Sequence, residues 1–178
     1  MALAELQHES GVATITVNRP EVLNAIDVPT ALAIRDAVLP LRDDADVRCI
    51  VLRGAGRAFI AGGDLARFAE DFGRAGDVVD ELLDALHPAI EVLASHPAPV
   101  LASVHGAVAG AGLSLMAGCD LVIAAEGTRF LVAYDRIAAA PDCGGTWFLP
   151  RRLGLRRAAE FMLLGDTWDA ATAERHGL

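Results

Sequence analysis

The chain has 178 residues, 53% of them hydrophobic, with a formal net charge of −9 and a pI near 4.9. That length reads as one domain over residues 1–178 with a substantial core, and the acidic balance argues against nucleic acid, whose phosphates need a basic surface. No apolar run reaches a membrane span, Met1-Ala2-Leu3-Ala4-Glu5 carries no basic export signal, and Cys49, Cys119 and Cys143 lack metal-ligand or CxxC spacing; these features predict a cytoplasmic protein with reduced thiols, no metal and no membrane partner.

Val12 to Val17 is rich in β-branched residues and reads as a strand closed by Asn18-Arg19-Pro20. Ile34, Ala37, Val38 and Leu41 share one helical face, with Pro40 ending or kinking the helix, and Cys49 to Leu52 is a continuous apolar strand of the kind covered on both faces. The pattern then repeats. Val79, Leu82, Leu83, Leu86, Ile90 and Leu93 trace an amphipathic helix bent at Pro88, followed by a strand from Pro99 to Val104. Gly110 to Ala117 is small and apolar all round, as a buried helix would be; Asp120 to Ala124 and Arg129 to Val132 read as short strands. Trp147 to Arg152, Arg156 to Leu164 and Asp169 to His176 read as short helices, the last stopped by Gly177. Strand–helix alternation with short connections predicts an α/β fold with a largely parallel sheet.

Two glycine-rich turns stand out, Ala61-Gly62-Gly63-Asp64-Leu65 and His105-Gly106-Ala107-Val108-Ala109-Gly110-Ala111-Gly112. Each follows an apolar strand-like run and leads towards a helix. Backbone N–H groups in such turns can converge on one point and stabilise an oxygen that gains negative charge, without reorganising when the charge develops. Asp142, in Pro141-Asp142-Cys143-Gly144-Gly145-Thr146, follows the apolar stretch Ala138-Ala139-Ala140-Pro141. The plainer role for Asp142 is the N-cap of a helix running from Gly144 to Phe148.

The run Asn18 to Ala25, then Phe59 to Leu65, then His105 to Asp120, then Pro141 to Trp147 together resembles the crotonase superfamily, also called the enoyl-CoA hydratase/isomerase family, over nearly the whole chain. The resemblance implies a crotonase-like spiral of repeated ββα units that takes an acyl-CoA thioester as substrate, with no further cofactor. It places the two oxyanion donors at the Gly63 and Ala111 N–H groups and the bent CoA chain along Val22, Leu23, Ala61, Gly63, Asp64 and Leu65. Glu21 stands where some members carry a lysine for the CoA phosphates, and Arg19 is close by in sequence. The family's two hydratase glutamates match Ser114 and Tyr134 here, so the usual water-activating pair is replaced. The motif around Asp142 is similar to that of the isomerase branch that includes ring-1,2-epoxyphenylacetyl-CoA isomerases, where the matching aspartate shuttles a proton.

The resemblance therefore favours an isomerase that shifts a double bond from 3-enoyl to 2-enoyl-CoA, or rearranges a ring epoxide, with Asp142 as proton shuttle. Three alternatives stay open: a hydratase with non-standard acid/base residues, an aryl-CoA dehalogenase with Asp142 as nucleophile, and a non-catalytic acyl-CoA-binding oligomer component. Tyr134 either contacts substrate or fills the pocket wall. Asp135 reads as solvated surface charge, His105 as a turn residue, and the group Arg151, Arg152, Arg156 and Arg157 as a solvated face or subunit contact. Family members carry C-terminal helices that this sequence largely lacks; with them, a homotrimer or a dimer of trimers is expected.

Overall fold

The computed structural model describes residues 2–69 and 72–178. Its larger sheet has the strand order β1 (Ala4–Glu9), β2 (Val12–Val17), β3 (Cys49–Gly54), β4 (Val100–Val104), β6 (Leu121–Ala124); β1 is antiparallel to β2 and every other pair is parallel. The smaller sheet has the order β5 (Ala107–Ala109), β7 (Arg129–Leu131), β8 (Thr167–Asp169), parallel at the first pair and antiparallel at the second. Each parallel step needs a crossover, and the helices supply it.

The first crossover is α1 (Val28–Val38), opened by Asp27, whose carboxylate accepts from the Thr30 N–H at 2.9 Å, and ended in a 3-10 turn that contains Pro40. The second holds α2 (Leu65–Ala69) and α3 (Ala75–Ser95), with Pro88 inside α3. Helices α1 and α3 pack together on the large sheet, burying Ile34 and Val38 against Ile15, Ile50, Leu86 and Ala89. A single large aliphatic side chain buried this way contributes about 1.5–3 kcal/mol.

The expectation of a sheet covered on both faces is corrected. Along β3, Ile50 and Leu52 are buried while Cys49 and Val51 are half-buried and Arg53 is exposed. Among the described residues α1 and α3 cover one face; on the other, Cys49 lies beside Val12, and Val51 between Thr14 and Leu101.

The smaller sheet stacks successive turns of the spiral. Ile60 pairs in parallel with Val108, whose strand β5 pairs with β7, so Ile60, Val108 and Phe130 lie side by side. From β5 the chain enters α4 (Ala111–Gly118), in which Ala111 through Ala117 are all buried. The remaining helices are α5 (Gly145–Leu153), α6 (Leu155–Leu164) and α7 (Ala170–His176), the last capped by Asp169 and stopped at Gly177, φ 82°. Among the described residues, no helix is long and apolar enough to cross a membrane.

Candidate active site

The first turn is held by a single parallel bridge. Ile26 N–H donates to Gly62 O at 2.8 Å and Asp64 N–H donates to Ile26 O at 2.9 Å. Because successive peptide groups of an extended chain face opposite sides, the N–H of Gly63 between them points away from Ile26. In the second turn Ala109 N–H donates to Ile60 O at 3.1 Å, Gly110 adopts φ 50°, ψ −123°, and α4 starts at Ala111. The N–H of a first helical residue has no partner within its own helix. Among the described residues neither the Gly63 nor the Ala111 N–H has a hydrogen-bond partner.

The two turns touch. A Cβ on Gly62 would lie 3.3 Å from Ala109 O, and one on Gly110 would lie 3.4 Å from Gly62 Cα. Both glycines have positive φ, 106° and 50°, so they serve both close approach and backbone conformation. Gly112 meets the same constraint on the far side, where a Cβ would fall 2.2 Å from Ile60 O.

Gly63 and Ala111 open on a cavity of about 410 Å³ whose walls are largely apolar, with Leu65 and Phe68 from α2 and Val79, Leu82 and Leu83 from α3. Its far wall is the segment 133–142, which brings in Tyr134 and Asp142. Tyr134 is buried in a 3-10 turn (Tyr134–Ile137), and its O–H donates to Asp142 Oδ1 in a short hydrogen bond. Ser114 Oγ on α4 lies 3.4 Å from the same phenolic oxygen. Burial, reinforced by the negative charge of Asp142, pushes the Tyr134 phenol well above its usual range, so it stays a protonated donor. The neighbouring Cys143 thiol is raised for the same reasons, burial first, and is correspondingly inert.

The capping alternative for Asp142 does not hold: the N-cap of α5 is Gly144, in the left-handed region, with no side-chain cap bond. The carboxylate is instead turned to Tyr134 and the cavity. Two free N–H donors and one half-buried carboxylate on a single apolar cavity are suited to polarising a carbonyl and moving a proton beside it.

Residues 7–178 match the family model described as enoyl-CoA hydratase/isomerase. The chain belongs to this family. It is 40% identical over 171 residues to the 1,2-epoxyphenylacetyl-CoA isomerase of Escherichia coli (strain K12), covering 96% of this chain and 65% of that protein. It is 42% identical over 168 residues to a protein of Rhodobacter capsulatus named a probable enoyl-CoA hydratase, covering 94% of this chain and 63% of that one. The crystal structure of an enoyl-CoA hydratase from Mycobacterium avium subsp. paratuberculosis K-10 aligns with a TM-score of 0.87 at 32% identity, covering 99% of this chain and 66% of that one. The fold is thus the crotonase fold, and the chain spans slightly under two thirds of the length of these two curated relatives.

Within this enoyl-CoA hydratase/isomerase family member, the structure brings Ala61, Gly63, Leu65, Ala111, Tyr134 and Asp142 to one cavity. Val22, Leu23 and Asp64 do not line it. Val22 is exposed, and Leu23, with φ 57°, uses its carbonyl to accept from the Ala61 N–H at 3.1 Å. Asp64 is buried and its carboxylate is held 2.7 Å from Arg19 Nη1, while Arg19 Nη2 reaches Asp27 at 3.2 Å. Arg19 is thereby committed to two internal carboxylates, Leu23 and Asp64 brace the first turn, and Val22 lies on the surface.

Asp135 is exposed and close to Gly165, away from the cavity, as a solvated charge would be. His105 keeps a turn role, its Nε2 2.9 Å from Gly56 O. In the arginine group, Arg152 donates to Ala117 O and Cys119 O at the end of α4, Arg151 stacks on the Trp147 ring, and Arg157 pairs with Glu160 at 2.6 Å. Two features escaped sequence reading. Asn24, fully buried, accepts from Arg19 N–H and donates to three carbonyls, those of Ala55, Ala58 and Phe59. The contacts of Ser114 with Tyr134 and of Tyr134 with Asp142, 20 and 8 residues apart, are set by packing and carried no signal in the sequence.

Proposed function

We propose that the protein isomerises acyl-CoA thioesters, shifting a double bond from the 3-enoyl to the 2-enoyl position or rearranging a ring epoxide. The thioester oxygen accepts from the Gly63 and Ala111 N–H groups. Asp142 takes the proton from the carbon next to the carbonyl, the electron pair moves into the enolate, and the protonated Asp142 returns the proton at the other end of the conjugated system. A proton leaves one carbon and arrives at another, so no redox cofactor or metal is required. Losing one donor of such a pair costs about 3–4 kcal/mol in comparable sites.

One observation carries this reading: Asp142 is the one carboxylate among the described residues lining the cavity onto which Gly63 and Ala111 open. A single carboxylate suffices to take and return a proton, whereas adding water calls for a group to activate it and another to protonate carbon. In this reading Ala61 and Leu65 hold the pantetheine arm at the cavity, and Val22, Leu23 and Asp64 support that path from behind. Assembly into trimers or pairs of trimers belongs to the same proposal for a chain supplied with the C-terminal helices.

Hydration is the second reading, favoured by the hydratase name of the Rhodobacter relative. Product analysis with 3-enoyl-CoA and 2-enoyl-CoA esters separates the two. The isomerase reading expects 2-enoyl-CoA from the former and slow or no 3-hydroxyacyl-CoA from the latter, with Asp142→Asn slower by about 10²–10⁴-fold. Hydration as the faster reaction, or an Asp142→Asn enzyme as fast as the parent, overturns it.

A further inference from the structure

Beyond the groups assigned to the reaction, the cavity wall holds a directed chain of hydroxyls. A phenol has one proton, and that of Tyr134 goes to Asp142 Oδ1. The 3.4 Å contact between Ser114 Oγ and Tyr134 must then run the other way, with serine donating to the phenolic oxygen. Ser114 is buried on α4, and a Cβ at residue 145 would lie 2.5 Å from its Oγ, so Gly145 leaves the space the serine occupies. Asp142 Oδ1 takes the Tyr134 donation, the adjacent Cys143 thiol bonds to the same carboxylate as a weak donor, and Oδ2 is the oxygen the phenol leaves free for substrate.

We propose that Tyr134 is a positioning residue that holds Asp142 Oδ1, with Ser114 fixing the direction of donation, so that Oδ2 alone carries the proton. The inference rests on the reading of Asp142 as the proton carrier. The phenol stops the carboxylate from rotating, which keeps one oxygen facing both ends of the enolate.

Few other groups act on this carboxylate. The residues facing the cavity from α2 and α3, Leu65, Phe68, Val79, Leu82 and Leu83, carry no charge. From α4 there is Ser114, and on the carboxylate's own segment there are Tyr134 and the inert Cys143 thiol. Asp135 is exposed beside Gly165, and Asp80, Glu81 and Asp84 of α3 are exposed.

The test compares kcat, KM and the fraction of a C2 deuterium label delivered to C4 in 3-enoyl-CoA isomerisation by the parent, Tyr134→Phe, Ser114→Ala and Asp142→Asn. A carboxylate free to rotate presents its carried proton to solvent before returning it. For Tyr134→Phe kcat should therefore fall about tenfold with KM within about threefold, and less of the label should reach C4. Ser114→Ala should act in the same direction by less, and it carries the test alone if the phenylalanine variant fails to fold. Parent-like kcat and label transfer in both variants alongside an inactive Asp142→Asn overturn the positioning role and leave the reaction standing. Full activity in Asp142→Asn overturns the reading beneath both.

Discussion

Replacing Ala111 by proline tests the oxyanion assignment at a backbone donor that ordinary substitution cannot reach. Ala111 is the first residue of α4, where proline is well tolerated because its φ is already helical and the missing N–H has no intrahelical partner. The preceding residue is the usual obstacle, since a Cβ there clashes with the ring. Here it is Gly110, which has no Cβ, and its ψ of −123° is far from the helical region. The ring carbon that replaces the N–H proton takes the place of a group with no hydrogen-bond partner, on a residue that lines the cavity of about 410 Å³. The fold should therefore lose little, with a thermal midpoint within a few degrees of the parent, corresponding to about 1 kcal/mol or less. The reaction loses one of two donors, about 2.7–4 kcal/mol of transition-state stabilisation, which at 1.36 kcal/mol per decade is about a 100- to 1000-fold fall in kcat. Ala111→Gly, which keeps the N–H, is the control. The assay is isomerisation of a 3-enoyl-CoA ester followed by product chromatography, with circular dichroism for the fold. A proline variant that is folded and within tenfold of the parent would refute the assignment of the Ala111 N–H.

Two further outcomes follow from the interior. Asn24→Ala strands the Arg19 N–H and the buried carbonyls of Ala58 and Phe59, and it places alanine at φ 57°; at about 1–3 kcal/mol per stranded buried group plus about 1 kcal/mol for the conformation, the loss should be at least about 3 kcal/mol by urea unfolding. A loss below about 1 kcal/mol would show that water replaces the amide. Among the thiols, burial pushes Cys119 up to about 12, and Cys143 is also raised, while Cys49 is half-buried. Native protein at pH 8 should thus label at Cys49 first with an aromatic disulfide reagent. Because the folded state keeps protons that the unfolded thiols lose near pH 9, stability should fall as pH rises from about 9 towards 12 and be flat for these groups below that window. Equal labelling of all three native thiols would contradict the burial.

Much of the architecture was legible in the residues because the long elements have strong periodicity. The helix around Ile34 and Val38, the helix carrying Leu82, Leu86 and Leu93, and the strands at Val12, Cys49 and Val100 all bury one face, and burial is what imposes the pattern. Strand β1 was not legible: it is an edge strand with four exposed residues, so nothing forces its side chains to alternate. Strands β5 and β8 have three residues each, too few for a period to show.

At the site, the sequence by itself determined which residues are small enough for the two turns to meet, since backbone approach dictates Gly62, Gly110 and Gly112, and positive φ dictates the first two as well. The likeness of its motifs to the family's implied in addition that Asp142 would be the carboxylate near them, and Asp142 does line the cavity. Tertiary structure alone decided that Asp64 faces Arg19, that Leu23 turns its carbonyl to Ala61, and that Ser114, Tyr134 and Asp142 meet. The reason is physical: a local motif constrains the conformation of its own backbone, whereas the partner of a buried polar side chain is set by how distant segments pack, and no local spacing encodes that meeting.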